Sequence, residues 1–225
     1  MADRASRPTI DEILIGDDPA AWRAAGFTVD ADDVARVGHT RLRLVGRERG
    51  TRILGWTLRD LASGAAAGGD LDGLPTTSST AVAPEPADHA VGARQIDHVV
   101  VASPDRVRTT AVFEAAGLVA RRVRRTESYG APMSQTFFRA GEVIIELVCP
   151  DTDEPSEPPA PGADPPAAFF GLAITVADLD AAAELLGPGL GAVKAAVQPG
   201  RRIATLRHRD LGLSVATALM SPEPG

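Results

Sequence analysis

The decapeptide IDHVVVASPD (residues 96–105) has an echo near the start of the chain, IDEILIGDDP (residues 10–19). Each opens on Ile-Asp and a third residue able to hold a metal or a proton, His98 in one copy and Glu12 in the other. Each continues through aliphatic and β-branched residues, the make-up of a buried strand. Each then turns polar ahead of a proline. Asp18 or Ser103 can cap a helix, with Pro19 or Pro104 at its first position, where a missing N–H is harmless. A third segment, FFGLAITV (169–176), leads in the same way to Asp178 and LDAAAELL.

Outward from these openings the same grammar continues. Gly26, Gly117 and Gly187 stand where left-handed residues close helices. The first piece then offers FTVDADDVARV, HTRLRLVG and TRILGWTL as strands. The second offers LVARRVRR, SQTFFRAG and VIIELVCP, and the third AVKAAVQ, RIATLRH and LSVATALM. The pattern predicts a βαβββ module written three times, over about 8–61, 94–150 and 168–222. Residues 62–93 and 151–167 are rich in Gly, Pro, Ser and Thr and read as connecting segments without a core of their own. The expected organisation is a diverged module over 1–61, a linker over 62–93 and a two-module domain over 94–222.

One helix covers only one face of a four-stranded sheet, so the other face must meet a second module or enclose something. The fold class expected is α+β, with repeated βαβββ modules pairing into a bowl-shaped mixed sheet and helices outside. Such a bowl is a natural small-molecule site.

Charge and composition narrow the partners. A net charge of -7 and a pI near 5.1 argue against general binding to nucleic acid or to anionic membranes. No apolar run is long enough to cross a bilayer, and MADRASRPTIDEIL lacks the apolar stretch of a secretion signal. Cys149 is the only cysteine, so no intrachain disulfide forms, and a cytoplasmic location is expected. Nucleophile-elbow, phosphate-loop, zinc-protease and dinucleotide-binding patterns are absent.

The module, with His98 in I-D-H and Glu146 in V-I-I-E-L-V, resembles the vicinal oxygen chelate superfamily. That group includes glyoxalase I, methylmalonyl-CoA epimerase, extradiol ring-cleaving dioxygenases, and bleomycin- and fosfomycin-resistance proteins. The likeness is best over 94–222. It implies one divalent metal (Zn, Ni, Mn or Fe), no organic cofactor, and ligands on the first and fourth strands of paired modules. It also implies a small-molecule ligand and a homodimer. Residue by residue, the second module supplies His98 and Glu146, whereas the third has Gly171 and Ala218 at those places. The first module has Glu12 at the His98 position and Gly55 near that of Glu146. Pairing of modules one and two would therefore give a ligand set of Glu12, His98 and Glu146. The resemblance also makes the strand with Tyr129, Met133 and Gln135 an interior one.

Each candidate has a plainer alternative. His98, on the face shared by Ile96 and Val100, could be a core histidine with one hydrogen-bond partner. Glu146 shares a face with Ile144 and Val148, and an unpaired carboxylate in a dry hollow needs a metal, an arginine, water or a proton. It is the candidate catalytic base or ligand, unless its strand edge faces water. Glu12, near Asp11, Asp17 and Asp18, could belong to an acidic surface. In ARRVRRTESYG (120–130), alternation puts Arg121 and Arg125 on one face and Arg122 and Arg124 on the other. One such pair, Arg125 included, could meet a substrate carboxylate or phosphate, or simply be solvated. Tyr129 and Gln135 could contact substrate or serve as rim packing.

Two functions stay open. One is a metal-dependent lyase, isomerase or dioxygenase, favoured by His98 with Glu146. The other is a metal-free binding protein, favoured by Gly171 and Ala218. A scaffold role for the first module is a third.

Overall fold

The computed structural model describes residues 7–65, 69–128, 130–151 and 165–224. The fold is α+β and built from two mixed sheets. The first begins with β1 (Thr9–Ile15), α1 (Pro19–Ala24), β2 (Val34–Val37), β3 (Thr40–Leu44) and β4 (Ile53–Arg59). It is completed by β5 (Asp70–Leu71) and β6 (Leu74–Ser79). The second comprises β7 (Ala93–Ala102), α2 (Arg106–Ala115), β8 (Ala120–Ser128), β9 (Ala131–Ala140) and β10 (Val143–Pro150). To these it adds β11 (Ala168–Val176), α3 (Leu179–Leu186), β12 (Lys194–Ala195), β13 (Arg202–Thr205) and β14 (Ala216–Met220).

The second sheet runs β12-β13-β14-β11-β7-β10-β9-β8. Two modules meet along the antiparallel pair β7–β11, and in each the opening strand lies parallel to the last one. The first sheet, β2-β3-β1-β4-β6-β5, repeats the inner six strands of that order with the same directions. In it β1 is parallel to β3, β1 antiparallel to β4, and β4 parallel to β6. It is thus a pared-down copy of the whole second sheet. In this arrangement β4 opens a second half, where the sequence reading made it the last strand of a single module.

The segment read as a linker, 62–93, supplies β5 and β6. Its loop-like composition hides a tight turn at Asp72-Gly73, with Asp72 at φ 53° and Gly73 at φ 84°. Leu71 and Leu74 on either side are buried. They add to a neighbouring core rather than forming their own.

Helix starts follow the sequence closely. Asp18 accepts from the Ala20 amide ahead of Pro19, and Asp178 accepts from Asp180 and Ala181. The cap of α2 is Asp105, which accepts from Arg108 N, and not Ser103. Ser103 instead accepts from the Asp105 amide and from Thr109.

Alternation along the second sheet separates its faces. Val99, Val101, Ile145, Leu147 and Phe138 lie on the packed face, where Phe138 meets Phe113 of α2 edge-on at 5.2 Å. Trp56 of β4 lies against Phe169 at 5.1 Å and Phe113 at 6.2 Å, so the two sheets share one core. The opposite face carries His98, Val100, Glu146 and Val148 and is left for the cavity.

Candidate functional site

The Ile-Asp-His opening is irregular in a way that shapes the site. Across β7–β11, Ala173 pairs with His98 and Ile174 with Ile96, so Asp97 is an extra, bulged residue. The same happens in the echo: Ile10 pairs with Leu58 and Glu12 with Thr57, which bulges Asp11. Both bulged aspartates are buried, Asp11 against two arginines and Asp97 against one. Asp11 binds Arg41, Arg59 and Ser79. Asp97 lies 2.6 Å from Arg201 Nη2, and Thr175 Oγ1 donates to it at 3.0 Å. Burial acts to raise the Asp97 carboxyl, but hydrogen bonds from His98 and Arg201 outweigh it and hold the group at about 2.

An ionised carboxylate only accepts, so His98 donates its Nδ1–H to Asp97 Oδ1 at 2.8 Å. That puts a proton on Nδ1 and turns the other ring nitrogen, Nε2, toward the cavity. Nε2 lies 3.6 Å from Glu146 Oε2. The other carboxylate oxygen, Oε1, accepts from Gln135 Nε2 at 2.5 Å, and Gln135 Oε1 accepts from Arg124 Nε at 2.8 Å. Two polar runs, Arg124–Gln135–Glu146 and His98–Asp97–Arg201, therefore face each other across the 3.6 Å gap between His98 and Glu146.

Around this polar floor is a cavity of ≈ 580 Å³. Its apolar walls include Val100, Ala102, Met133, Val148 and Phe170. Phe170 sits at a register shift in β11 and is 50% exposed at the cavity. A second cavity of ≈ 570 Å³ adjoins on the same strands and is lined by Arg121, Arg122, Arg124, Phe137, Arg139 and Ile144 among others. A register shift between Ala120 and Arg122 inserts Arg121 as an extra residue, so consecutive arginines both line it. Simple alternation had put Arg121 on the other face, with Arg125.

Of the sequence candidates, His98, Glu146 and Gln135 come together, with Met133 beside them. Glu12 does not join them. It lies on β1 of the other sheet, and its carboxylate accepts from Arg43 Nε at 2.9 Å. Register makes this informative: Glu12 and Arg43 occupy in the first sheet the places of His98 and Glu146 in the second. An ion pair fills there the place of the His–Glu pair. Asp11 and Asp17, read as a possible acidic surface, are buried; Asp17 accepts from Trp22 Nε1 and the Ser214 amide. Arg125 pairs with Asp151 at 3.1 Å and does not line either cavity. Tyr129 lies outside the described residues. Asp97 was not among the sequence candidates, and the Pro-Gly-Arg-Arg turn (199–202), ambiguous between ligand contact and solvated surface in the sequence, places Arg201 in the interior against Asp97.

Does this donor set fit a resident metal? Nitrogen and oxygen ligands about 2.0–2.2 Å from a tetrahedral ion lie about 3.4 Å apart, so the His98–Glu146 spacing alone is compatible with one. The remaining positions are not. A Cβ on Gly171 would come within 2.3 Å of the Ala216 carbonyl, so no ligating side chain fits there without moving the sheet. Ala218 carries no donor. Among the described residues no group of three or more His, Cys, Asp or Glu side chains could hold an ion. A protein-held ion needs three or four ligands, and the described residues present two here.

The model of the Glyoxalase/Bleomycin resistance protein/Dioxygenase superfamily matches residues 97–204. No curated protein matches the sequence significantly. Among solved structures, a mutant of 4-hydroxymandelate synthase from Streptomyces coelicolor is similar with a TM-score of 0.64 at 15% identity, over 96% of this chain and 93% of that one. Catechol 2,3-dioxygenase gives 0.56 at 14% identity, over 96% and 89%. Both likenesses span the two sheets, so the whole chain follows the fold, which at such identities is all they show. The domain that holds residues 97–204, on the sheet that carries His98 and Glu146, belongs to the glyoxalase/bleomycin resistance protein/dioxygenase, or vicinal oxygen chelate, superfamily.

Proposed function

We propose that the second sheet binds an amphipathic small molecule without a resident metal ion. The supporting observation is the ≈ 580 Å³ cavity itself, which has apolar walls, a His98–Glu146–Gln135 floor and no side-chain room at Gly171. Val100, Ala102, Val148 and Phe170 take up the apolar body of the ligand by the hydrophobic effect, about 25 cal/mol per Å² buried. The Glu146 carboxylate, steadied on one oxygen by Gln135, accepts a hydrogen bond from a ligand hydroxyl or amine. His98 Nε2 offers a second polar contact beside it. These polar contacts set orientation, while the walls supply most of the affinity.

A second reading rests on the Asp97–His98 pair. A buried carboxylate behind an imidazole stabilises the cation formed when Nε2 takes a proton, so the floor could abstract a proton from a bound carbon acid. Deuterium incorporation from heavy water into a bound ligand, lost in His98→Ala, would separate this from binding alone.

The test of the main reading uses the uncharged fluorophore Nile red with chelator-treated protein. Saturable binding at one site is expected, and Ala102→Trp or Val148→Trp, which fill the cavity, should abolish it. Binding that ignores both substitutions, or that requires added metal, overturns the proposal.

A further inference from the structure

We infer that the arginine-lined cavity is the anionic half of the same site, so that the ligand is a molecule with an apolar body and a phosphate or carboxylate end. This rests on the functional reading above and extends it. Arg121, Arg122, Arg124 and Arg139 line that cavity, and no acidic side chain does. None of the four has a carboxylate partner among the described residues. The chain has 30 acidic residues against 23 basic ones, so counter-charges are plentiful. Many arginines elsewhere use them: Arg43 pairs with Glu12, Arg108 with Asp72, Arg201 with Asp97 and Arg202 with Asp180. Four guanidinium groups lining one cavity, with no carboxylate beside them among the described residues, make a site suited to an anion that enters from solvent. Their planar forks match the oxygens of phosphate or carboxylate.

One hydrogen bond links the linings of the two cavities. Arg124 lines the basic one and donates to Gln135, which lines the apolar one and holds Glu146. On β9, Gln135, Phe137 and Arg139 follow one another on a single face, and on β10 Ile144 adjoins Glu146. At about 3.4 Å per residue, Gln135 to Arg139 spans about 14 Å. An apolar chain of eight or so carbons with an anionic head bridges that distance.

Displacement of Nile red from the full chain at fixed ionic strength tests this with three probes: n-octyl phosphate, n-octanol and inorganic phosphate. Octyl phosphate should bind at least about tenfold more tightly than octanol, with inorganic phosphate failing to displace the dye. In Arg122→Gln/Arg139→Gln the preference should vanish while octanol binding is unchanged. In Ala102→Trp both octyl probes should weaken. Octyl phosphate binding no better than octanol, with octanol still bound, overturns the anionic half and leaves the apolar site standing. Nile red and octanol both failing to bind, while phosphate protects against thermal unfolding, overturns the functional reading instead. A short single-stranded oligonucleotide that binds ahead of octyl phosphate without displacing Nile red overturns the shared site in favour of a nucleic-acid surface. Sodium octanoate in place of octyl phosphate distinguishes carboxylate from phosphate as the preferred head.

Discussion

Replacing Asp97 by Asn tests the His98–Asp97–Arg201 run at its most buried point. Asp97 is 7% exposed and Arg201 5%. Against an ordinary 3.8, a carboxyl held at about 2 contributes about 2–3 kcal/mol to folding at neutral pH, at 1.36 kcal/mol per pH unit. The substitution also leaves Arg201 charged and buried without its counter-ion, and breaking such a pair costs about 3–5 kcal/mol. The sign with pH follows from proton uptake. As pH falls below about 4 the unfolded chain takes up a proton first, and the folded chain does so only near 2. The wild-type advantage is therefore full above about pH 5, and roughly two thirds of the titrating part is gone by about pH 2.5. Urea unfolding followed by fluorescence of the buried Trp22 and Trp56 measures it at pH 7 and pH 2.5. Arg201→Gln added to Asp97→Asn should recover part of the loss. A pH 7 difference under about 1 kcal/mol, or one unchanged at pH 2.5, would refute the reasoning.

Other positions give sharper yes-or-no outcomes. Gly171→Ala should cost about 1–3 kcal/mol or more in urea unfolding, because its Cβ meets the Ala216 carbonyl at 2.3 Å; a neutral result would reopen that position to a ligating side chain. Trp56→Ala, which removes the ring against Phe169 and Phe113 and the donor to Thr76 Oγ1, should cost about 3–5 kcal/mol. Two separate unfolding transitions in that variant would show that the sheets are joined chiefly there. Burial pushes the Cys149 thiol up to about 11, so the native protein should resist a thiol-reactive dye at pH 8 and react once unfolded in urea. Labelling within minutes in buffer would contradict its position on the packed face of β10.

The repeat was legible because each copy carries local chemistry that survives divergence. Ile-Asp, an aliphatic run, an acidic cap and a closing glycine recur, and Asp18 and Asp178 cap as their positions imply. What failed depended on pairing, which no local pattern encodes. The Asp-Gly turn between Leu71 and Leu74 was visible as a turn, but β5 and β6 exist only because β4 offers an edge to join. Alternation placed the face of Glu146 correctly, yet it misassigned Arg121, since one bulged residue reverses the count. The bulges at Asp11 and Asp97 are the deeper case. An aspartate inside an aliphatic strand is costly unless paired, and that cost was the available signal that at least one arginine from elsewhere in the chain meets it. Gly171 and Ala218 were read as losses of ligands, and the structure adds that at Gly171 the sheet has closed over the vacancy.

Metal content tests the central claim most directly. After dialysis of the purified chain against Ni²⁺, Zn²⁺, Mn²⁺ or Fe²⁺ and removal of free ion, elemental analysis should find far less than one ion per chain. The same residual level should appear in His98→Ala and Glu146→Ala. One ion per chain in the wild type, abolished by either substitution, would contradict the account and show that this pair holds a metal after all.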